Sequence, residues 1–438
     1  MNFNANKKFL AFFLFICFLS KNTEALLSVD IDSGNIQPIN VAVLGLNDRS
    51  LAEENMNIES VIQNDLDNSS LFKVHYENFD NLTLDSFPSF STWIKKDTNF
   101  LLVGKITRRG KDIQIKYRIW NAFNKKQVAG KIIEIDQSKW RQLAHIVADD
   151  VYEAATNDPG YFNTRILYVA ESGPFDRRVK RLAIMDYDGE NHGYLTSEKH
   201  MILSPRISSD GKKILYMSFA DKIPRVHLYD METNSHRPLG DFDGMTSAPR
   251  FGFNIDIALL AMSKNGATNV YKFDIHSFAK KQLTNNEFIN TSPSYSPDNQ
   301  FIIFNSDRSR SPQLYVMRND GSDQKRISFG PGRYLNPVWS PNGDYIAFVK
   351  ILNGVFYIGI MRPNGDEEKI LASGHMIESP SWSPNGRLLI FSSTTRGGAN
   401  GSKKSRLYMV DITGRHHKLV KTHGDATDPM WSSNVKFG

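Results

Sequence analysis

The sequence is poor in cysteine: Cys17 is the single one in 438 residues. That excludes an internal disulfide framework and a zinc site built from clustered thiolates. Long apolar runs are also scarce. The run from Phe9 to Leu19 is well short of the ~20 residues needed to cross a bilayer, and no later segment reaches ~18. Charge of one sign is nearly absent in excess: the net charge is +6 with 23% charged residues, too even to mark a nucleic-acid or anionic-lipid binder. No Gly-x-Ser-x-Gly elbow and no His-Glu-x-x-His pair occur, so neither a serine-hydrolase site nor a zincin site is spelled out. Ser277-Phe278-Ala279-Lys280 matches Ser-x-x-Lys only inside a repeat turn. The expectation is a protein that is not an enzyme, with no cofactor and no metal.

What is present begins with an address. Lys7 and Lys8 precede the apolar run, and Thr23 and Ala25 occupy small-residue positions of a cleavage site. This is the layout of a secretory signal peptide over residues 1–25. Its removal takes away Lys7, Lys8, Lys21, Glu24 and Cys17 and leaves a net charge of +4.

Residues 37–157 read as a small α/β (α+β) domain. Strands are predicted at 39–46, 71–76, 100–107, 112–120 and 128–135. Ile113, Ile115, Tyr117 and Ile119 alternate with Gln114, Lys116 and Arg118, the period of a sheet with one solvated face. A helix is predicted over 53–66. A second, capped by Ser138, carries Trp140, Leu143, Ala144, Val147, Ala148, Val151 and Tyr152 on one face. Asp158-Pro159-Gly160 ends it. His145 falls at the edge of that face, with no metal or triad partner nearby in the sequence.

From Thr164 a phrase recurs. It reads Ser204-Pro205-Arg206-Ile207-Ser208, then Ala248-Pro249-Arg250-Phe251, Ser292-Pro293-Ser294-Tyr295-Ser296-Pro297, Asn336-Pro337-Val338-Trp339-Ser340-Pro341, Ser379-Pro380-Ser381-Trp382-Ser383-Pro384 and Asp428-Pro429-Met430-Trp431-Ser432. The prolines 205, 249, 293, 337, 380 and 429 are spaced 44, 44, 44, 43 and 49 residues apart. That is the length of a four-stranded blade, so residues 164–438 are predicted to form a six-bladed β-propeller. The last phrase has no blade after it and is expected to supply the inner strand of the blade that Arg165 begins, closing the ring. Tyr295, Trp339, Trp382 and Trp431 share one repeat position and are expected to pack between blades. Asp186-Tyr187-Asp188-Gly189-Glu190 reads as a hairpin turn rather than a calcium loop.

The phrase resembles the WD40-like repeats of the TolB family of the Tol-Pal system. So do Val29-Asp30-Ile31-Asp32-Ser33-Gly34, the Leu101-Leu102-Val103-Gly104 strand, the helix ending Asp150-Val151-Tyr152-Glu153, and Thr164-Arg165-Ile166-Leu167-Tyr168-Val169. The resemblance implies a periplasmic binding protein whose propeller takes the lipoprotein Pal. It also implies that an N-terminal box (26–36) engages TolA, and through it TolQ and TolR, in outer-membrane integrity and cell division. Similar repeats front prolyl-oligopeptidase-like peptidases, and a glycan-binding propeller is the other alternative. No nucleic-acid partner is expected, and a closed ring needs no second copy to cover its edges, which points to a monomer.

Two surfaces follow. The segments entering the innermost strands surround one mouth of the channel. They carry His200, Met201, Ser204, Met245, Thr246, Ser247, Asn290, Thr291, Ser292, Arg333, Tyr334, Asn336, His375, Met376, Glu378, Ala426 and Asp428, a mixture suited to a protein interface. The box comprises Leu26, Leu27, Ser28, Val29, Asp30, Ile31, Asp32, Ser33 and Gly34. Its alternation of Val29 and Ile31 with Asp30 and Asp32 suits strand addition to a partner's sheet.

Overall fold

The computed structural model describes residues 37–46, 56–76, 84, 86–174, 177–197, 200–220, 223–252, 254–395 and 403–433. The signal segment and the whole box, Leu26 to Gly34, lie outside the described residues.

The N-terminal part is a five-stranded sheet. Its strands are β1 (Ile39–Leu44), β2 (Phe72–Tyr76), β3 (Phe100–Arg109), β4 (Asp112–Asn121) and β5 (Lys126–Asp136), in the order β2-β1-β3-β4-β5. β1 runs parallel to both neighbours, while β3, β4 and β5 form an antiparallel meander. Two helices cover one face. α1 (Ile58–Asn68) starts where the Asn57 side chain accepts the Ser60 N–H at 2.9 Å, a side-chain cap of an otherwise unsatisfied donor. It buries Ile58, Val61, Ile62 and Leu66, one helical stripe. α3 (Trp140–Thr156) buries Leu143, Ala144, Val147, Ala148, Val151 and Tyr152 and ends at Asn157 with a left-handed φ of 61°.

Two readings of the sequence change here. Ser138 does not cap α3. It lies in a single 3-10 turn, Gln137–Lys139, which Asp136 caps by accepting from Ser138, and the helix begins at Trp140 with no side-chain cap. The second sheet face is open to solvent at Lys105, Thr107 and Lys116, as expected, but covered at its other end. The short helix α2 (Phe90–Lys95) lays Trp93 against Ala42, Leu44, Leu101, Val103 and Trp120. A six-residue helix carries too few periods to register as an apolar stripe.

Six four-stranded antiparallel sheets follow. The inner strands are Ile202–Ile207, Met245–Phe251, Asn290–Tyr295, Arg333–Trp339, Met376–Trp382 and Asp425–Trp431. The last pairs with Arg165–Ser172, so the chain end closes the first blade as predicted. The closure uses the bonds found in other blades. Ser208, Ser296, Ser340 and Ser383 each donate N–H to, and accept N–H at Oγ from, the residue five positions on, at the start of the next strand. Ser432 does the same with Arg165 at 2.9 Å. The Asp186–Glu190 segment is a blade turn, with Gly189 at φ 92° and its Cβ position 2.6 Å from the Lys421 carbonyl of the sixth blade.

The sheet domain and the propeller share one core. Tyr152, Tyr161, Phe162, Tyr187 and Trp431 pack edge-on at the joint, continuous with Val147, Ile166 and Tyr168. Arg387 binds Asp158 at 2.6 Å, Asn385 donates to the Pro159 carbonyl at 3.1 Å, and Lys418 donates to Asn68 at 2.6 Å. These contacts use the turns after the first and third strands of the blades. The domain therefore docks on the end opposite the segments that enter the inner strands. No described helix is long and apolar enough to cross a membrane.

Candidate functional site

Every inner strand is kinked at one place. Ser204, Ala248, Ser292, Asn336, Ser379 and Asp428, each just before the phrase proline, have φ between 49° and 57°. Each sits at a register shift against the second strand of its blade. This is a bulge repeated around the ring, and it turns these six residues into the channel. Two pairs close across blades: Ser292 Oγ donates to Asn336 at 3.0 Å, and Ser379 Oγ donates to Asp428 at 2.7 Å. The channel holds a cavity of about 640 Å³, lined also by Glu171, Arg178, Lys180, Met201, Arg206, Arg250, Met376 and Glu378.

The structure divides the predicted mouth residues into three groups. Ser204, Ser292, Asn336, Glu378 and Asp428 line the channel, with Met201 and Met376 at its rim. His200, Arg333, Met245 and His375 are exposed around that rim, and Ser247 and Thr291 are half-buried beside the bulges. Thr246, Asn290, Tyr334 and Ala426 are fully buried, at 0% exposure each. They do not belong to a contact surface. Thr246 Oγ1 accepts the Val226 N–H at 2.8 Å, and Asn290 donates to the Thr268 carbonyl at 3.0 Å. Tyr334 donates to Glu368 at 2.7 Å beneath the Lys350 ammonium. Strand alternation sends every second side chain of an entering segment inward, and these four fall on that side.

The mouth contains more apolar surface than the sequence marked. Phe219, Ile223, Phe288, Ile289, Phe329 and Val355 are exposed in the same set of turns as Met201, Met245 and Met376, with Phe329 at 73%. Polar neighbours in the sequence hide such singletons from any periodic pattern. Only ring closure brings them together at the end that the sheet domain leaves open.

The channel wall carries uneven charge. Lys180 binds Glu171 and Arg178 binds Asp425, both at 2.7 Å, on the first blade. Burial pushes the Glu378 carboxyl up, and Asp428 beside it adds to that. Arg206 and Arg250 face the channel from the second and third blades. They were not among the predicted site residues. The available signal was an arginine at the same post-proline position in the first two phrases.

At the joint, His145 is 2% exposed and its Nδ1 is 2.7 Å from Asp65. Tyr187 donates to the other Asp65 oxygen at 2.6 Å, and Asp188 pairs with Arg141. Burial opposes the imidazolium, but Asp65, Asp188 and Asp186 together hold the His145 pKa above its ordinary 6.5. The partner that the sequence did not offer is 80 residues away. Asp65, His145 and Asp188 come close enough to hold a cation, yet their charges are answered by Arg141 and Tyr187.

A family model described as the TolB amino-terminal domain matches residues 27–128, and one described as the TolB beta propeller domain matches residues 152–435. The chain is 40% identical over 431 residues to the Tol-Pal system protein TolB of Rickettsia bellii, covering 94% of this chain and 97% of that one. It is 37% identical over 406 residues to the protein of the same name from Gluconobacter oxydans, covering 92% and 88%. The crystal structure of TolB from Acinetobacter baumannii superposes with a TM-score of 0.77 at 27% identity, over 91% of this chain and 97% of that one. Matched in both its sheet domain and its propeller, the chain belongs to the TolB family.

Proposed function

We propose that this chain is a periplasmic, non-enzymatic component of the Tol-Pal system, exported by a cleaved signal peptide. In this reading it joins the lipoprotein Pal at the outer membrane to TolA at the inner membrane, and through TolA to TolQ and TolR. It thereby serves outer-membrane integrity and envelope constriction at division. Pal docks on the open mouth of the propeller, and residues 26–34 engage TolA by adding a strand. The observation that carries the Pal assignment is the collection of exposed methionines, phenylalanines and isoleucines around one channel mouth, on the end that the sheet domain does not cover. A rim of Arg333, His200 and His375 surrounds it. An apolar centre with a polar border is the ordinary anatomy of a protein interface.

The test is capture of Pal from solution by the full chain. Phe329→Asp with Arg333→Glu is expected to lower capture at least about ten-fold, the loss of one good anchor, with an unchanged melting temperature. Tyr334 is unsuited to such a test because its removal opens the core. Capture equal to that of the unaltered protein moves the Pal site elsewhere. A chain beginning at Ile36 is expected to lose TolA and keep Pal; retention of TolA refutes the box assignment.

A further inference from the structure

The position after the phrase proline is Arg206, Arg250, Ser294, Val338, Ser381 and Met430 around the ring. Ser294 and Ser381 spend their hydroxyls on the next blade, accepting the N–H groups of Trp339 and Trp431. The two arginines do nothing comparable. Arg206 makes one hydrogen bond, to its neighbour's carbonyl at Pro205 (2.6 Å), and its Nε is completely withdrawn from solvent with no partner. Among the described residues no carboxylate lies within 4.0 Å of either guanidinium, and no acceptor is paired with Arg250.

A guanidinium keeps its proton at any pH a protein survives. Two of them half-buried on one channel wall, near enough to repel, favour a counter-charge between them. Burial lowers the Arg250 pKa well below its ordinary value and Arg206 adds to the effect; burial also lowers Arg206, against the pull of Asp428. Among the described residues the acids of the channel form no ion pair with either arginine. Glu171 is taken by Lys180, and Asp425 by Arg178. Asp428, on the first blade beside that of Arg206, draws on Arg206 without forming an ion pair and accepts from Ser379 at 2.7 Å, and Glu378 stands on the sixth blade. The cavity at this level is large enough for several small molecules, about 640 Å³.

We propose that Arg206 and Arg250 form an oxyanion site inside the propeller channel, shaped for a carboxylate or phosphate group. The planar fork of a guanidinium matches two oxygens of such a group, and two forks from adjacent blades converge on one charge. The same chemistry is offered by a free anion or by an acidic side chain reaching in from a docked protein. The site is defined by the two arginines and stands whether or not the mouth binds Pal.

The experiment is calorimetric titration of the full chain with inorganic phosphate, and separately with acetate, in chloride buffer at constant ionic strength. Saturable binding is expected, weakened at least ten-fold in Arg206→Gln and in Arg250→Gln and unchanged in Lys105→Gln on the exposed face of the sheet domain. In chloride buffer without phosphate or acetate Arg250→Gln is expected to melt no lower than the unaltered protein, because it removes an unpaired charge. Absence of saturable binding by both anions overturns the site. So does binding indifferent to both arginine substitutions, or an Arg250→Gln protein that melts lower, which would mean the charge is already answered within the chain. A competition arm separates the sources. If phosphate reduces Pal capture by the unaltered protein but not by Arg250→Gln, the docked protein supplies the oxyanion. If capture is indifferent to phosphate while calorimetric binding persists, the ligand is the free anion.

Discussion

Within the repeated phrase each residue has a separate physical task. The residue before proline takes a left-handed backbone at a bulge, and proline, which has no N–H to donate, sits where the ladder is already broken. The aromatic fills the gap to a neighbouring blade. Trp382 is 5% exposed, packs with Val338, Val349 and Ile377, and donates its Nε1 to the Val338 carbonyl at 3.0 Å. Trp382→Ala is expected to cost about 3–5 kcal/mol, read as a shift in the denaturant midpoint at constant slope; a loss below about 1 kcal/mol would mean the blades close without it. The aromatic positions were legible in the sequence because they recur. The left-handed residues were not, since the residue before a proline is ordinarily driven to extended backbone. Serine, asparagine, aspartate and alanine all occupy the position.

Among the elements, hairpins and strands were legible to within two or three residues, because alternation and Asn-Gly or Asp-Gly turns are local signals. The turns also carry a constraint between blades that no local signal shows. A Cβ on Gly365 would lie 2.1 Å from the Ile327 carbonyl of the preceding blade, and its φ is 94°. On Gly354, at φ 77°, a Cβ would meet nothing within 4 Å. Gly354→Ala is expected to cost only the backbone strain, about 1 kcal/mol, and Gly365→Ala about 1–3 kcal/mol more. Equal losses in paired denaturant melts would show that the blades have slack at this turn. The missed α2 and the misplaced cap of α3 have a related cause. One is too short for a period to register, and at the other Ser138 is itself held by Asp136 in the 3-10 turn before the helix, so its hydroxyl does not cap Trp140.

For the whole molecule, the joint between sheet domain and propeller is where pH acts. Asp149 accepts the N–H groups of Phe162 and Asn163 at 2.7 and 3.1 Å, and burial pushes its pKa from 3.8 up to about 7 despite those bonds. The folded protein therefore holds a proton there that the unfolded chain has released, and stability falls as pH rises from about 4 to about 7. His145 has a folded pKa above 6.5, so its contribution is full below that value and is lost as pH rises through the folded pKa. Both act in one direction. The melting temperature is expected to decline from about pH 6 to about pH 8, after ordinary carboxylates have finished titrating. His145→Gln and Asp149→Asn should each flatten the decline in scanning calorimetry. A profile that is level over this range in the unaltered protein would sink the assignment.

The sequence by itself determined the number of blades, the closing strand, the layered sheet domain and the family. These follow from short-range repetition and alternation, which survive without knowledge of contacts. Tertiary structure decided which of the mouth residues face outward, burying Tyr334, Asn290, Thr246 and Ala426 while gathering Phe329, Phe288 and Ile289 beside the methionines. It also matched His145 with Asp65 and set Arg206 and Arg250 in the channel without an ion pair among the described residues. Those outcomes depend on which residues ring closure and domain docking bring together from positions tens of residues apart. Burial and charge pairing are properties of that neighbourhood, not of the local sequence.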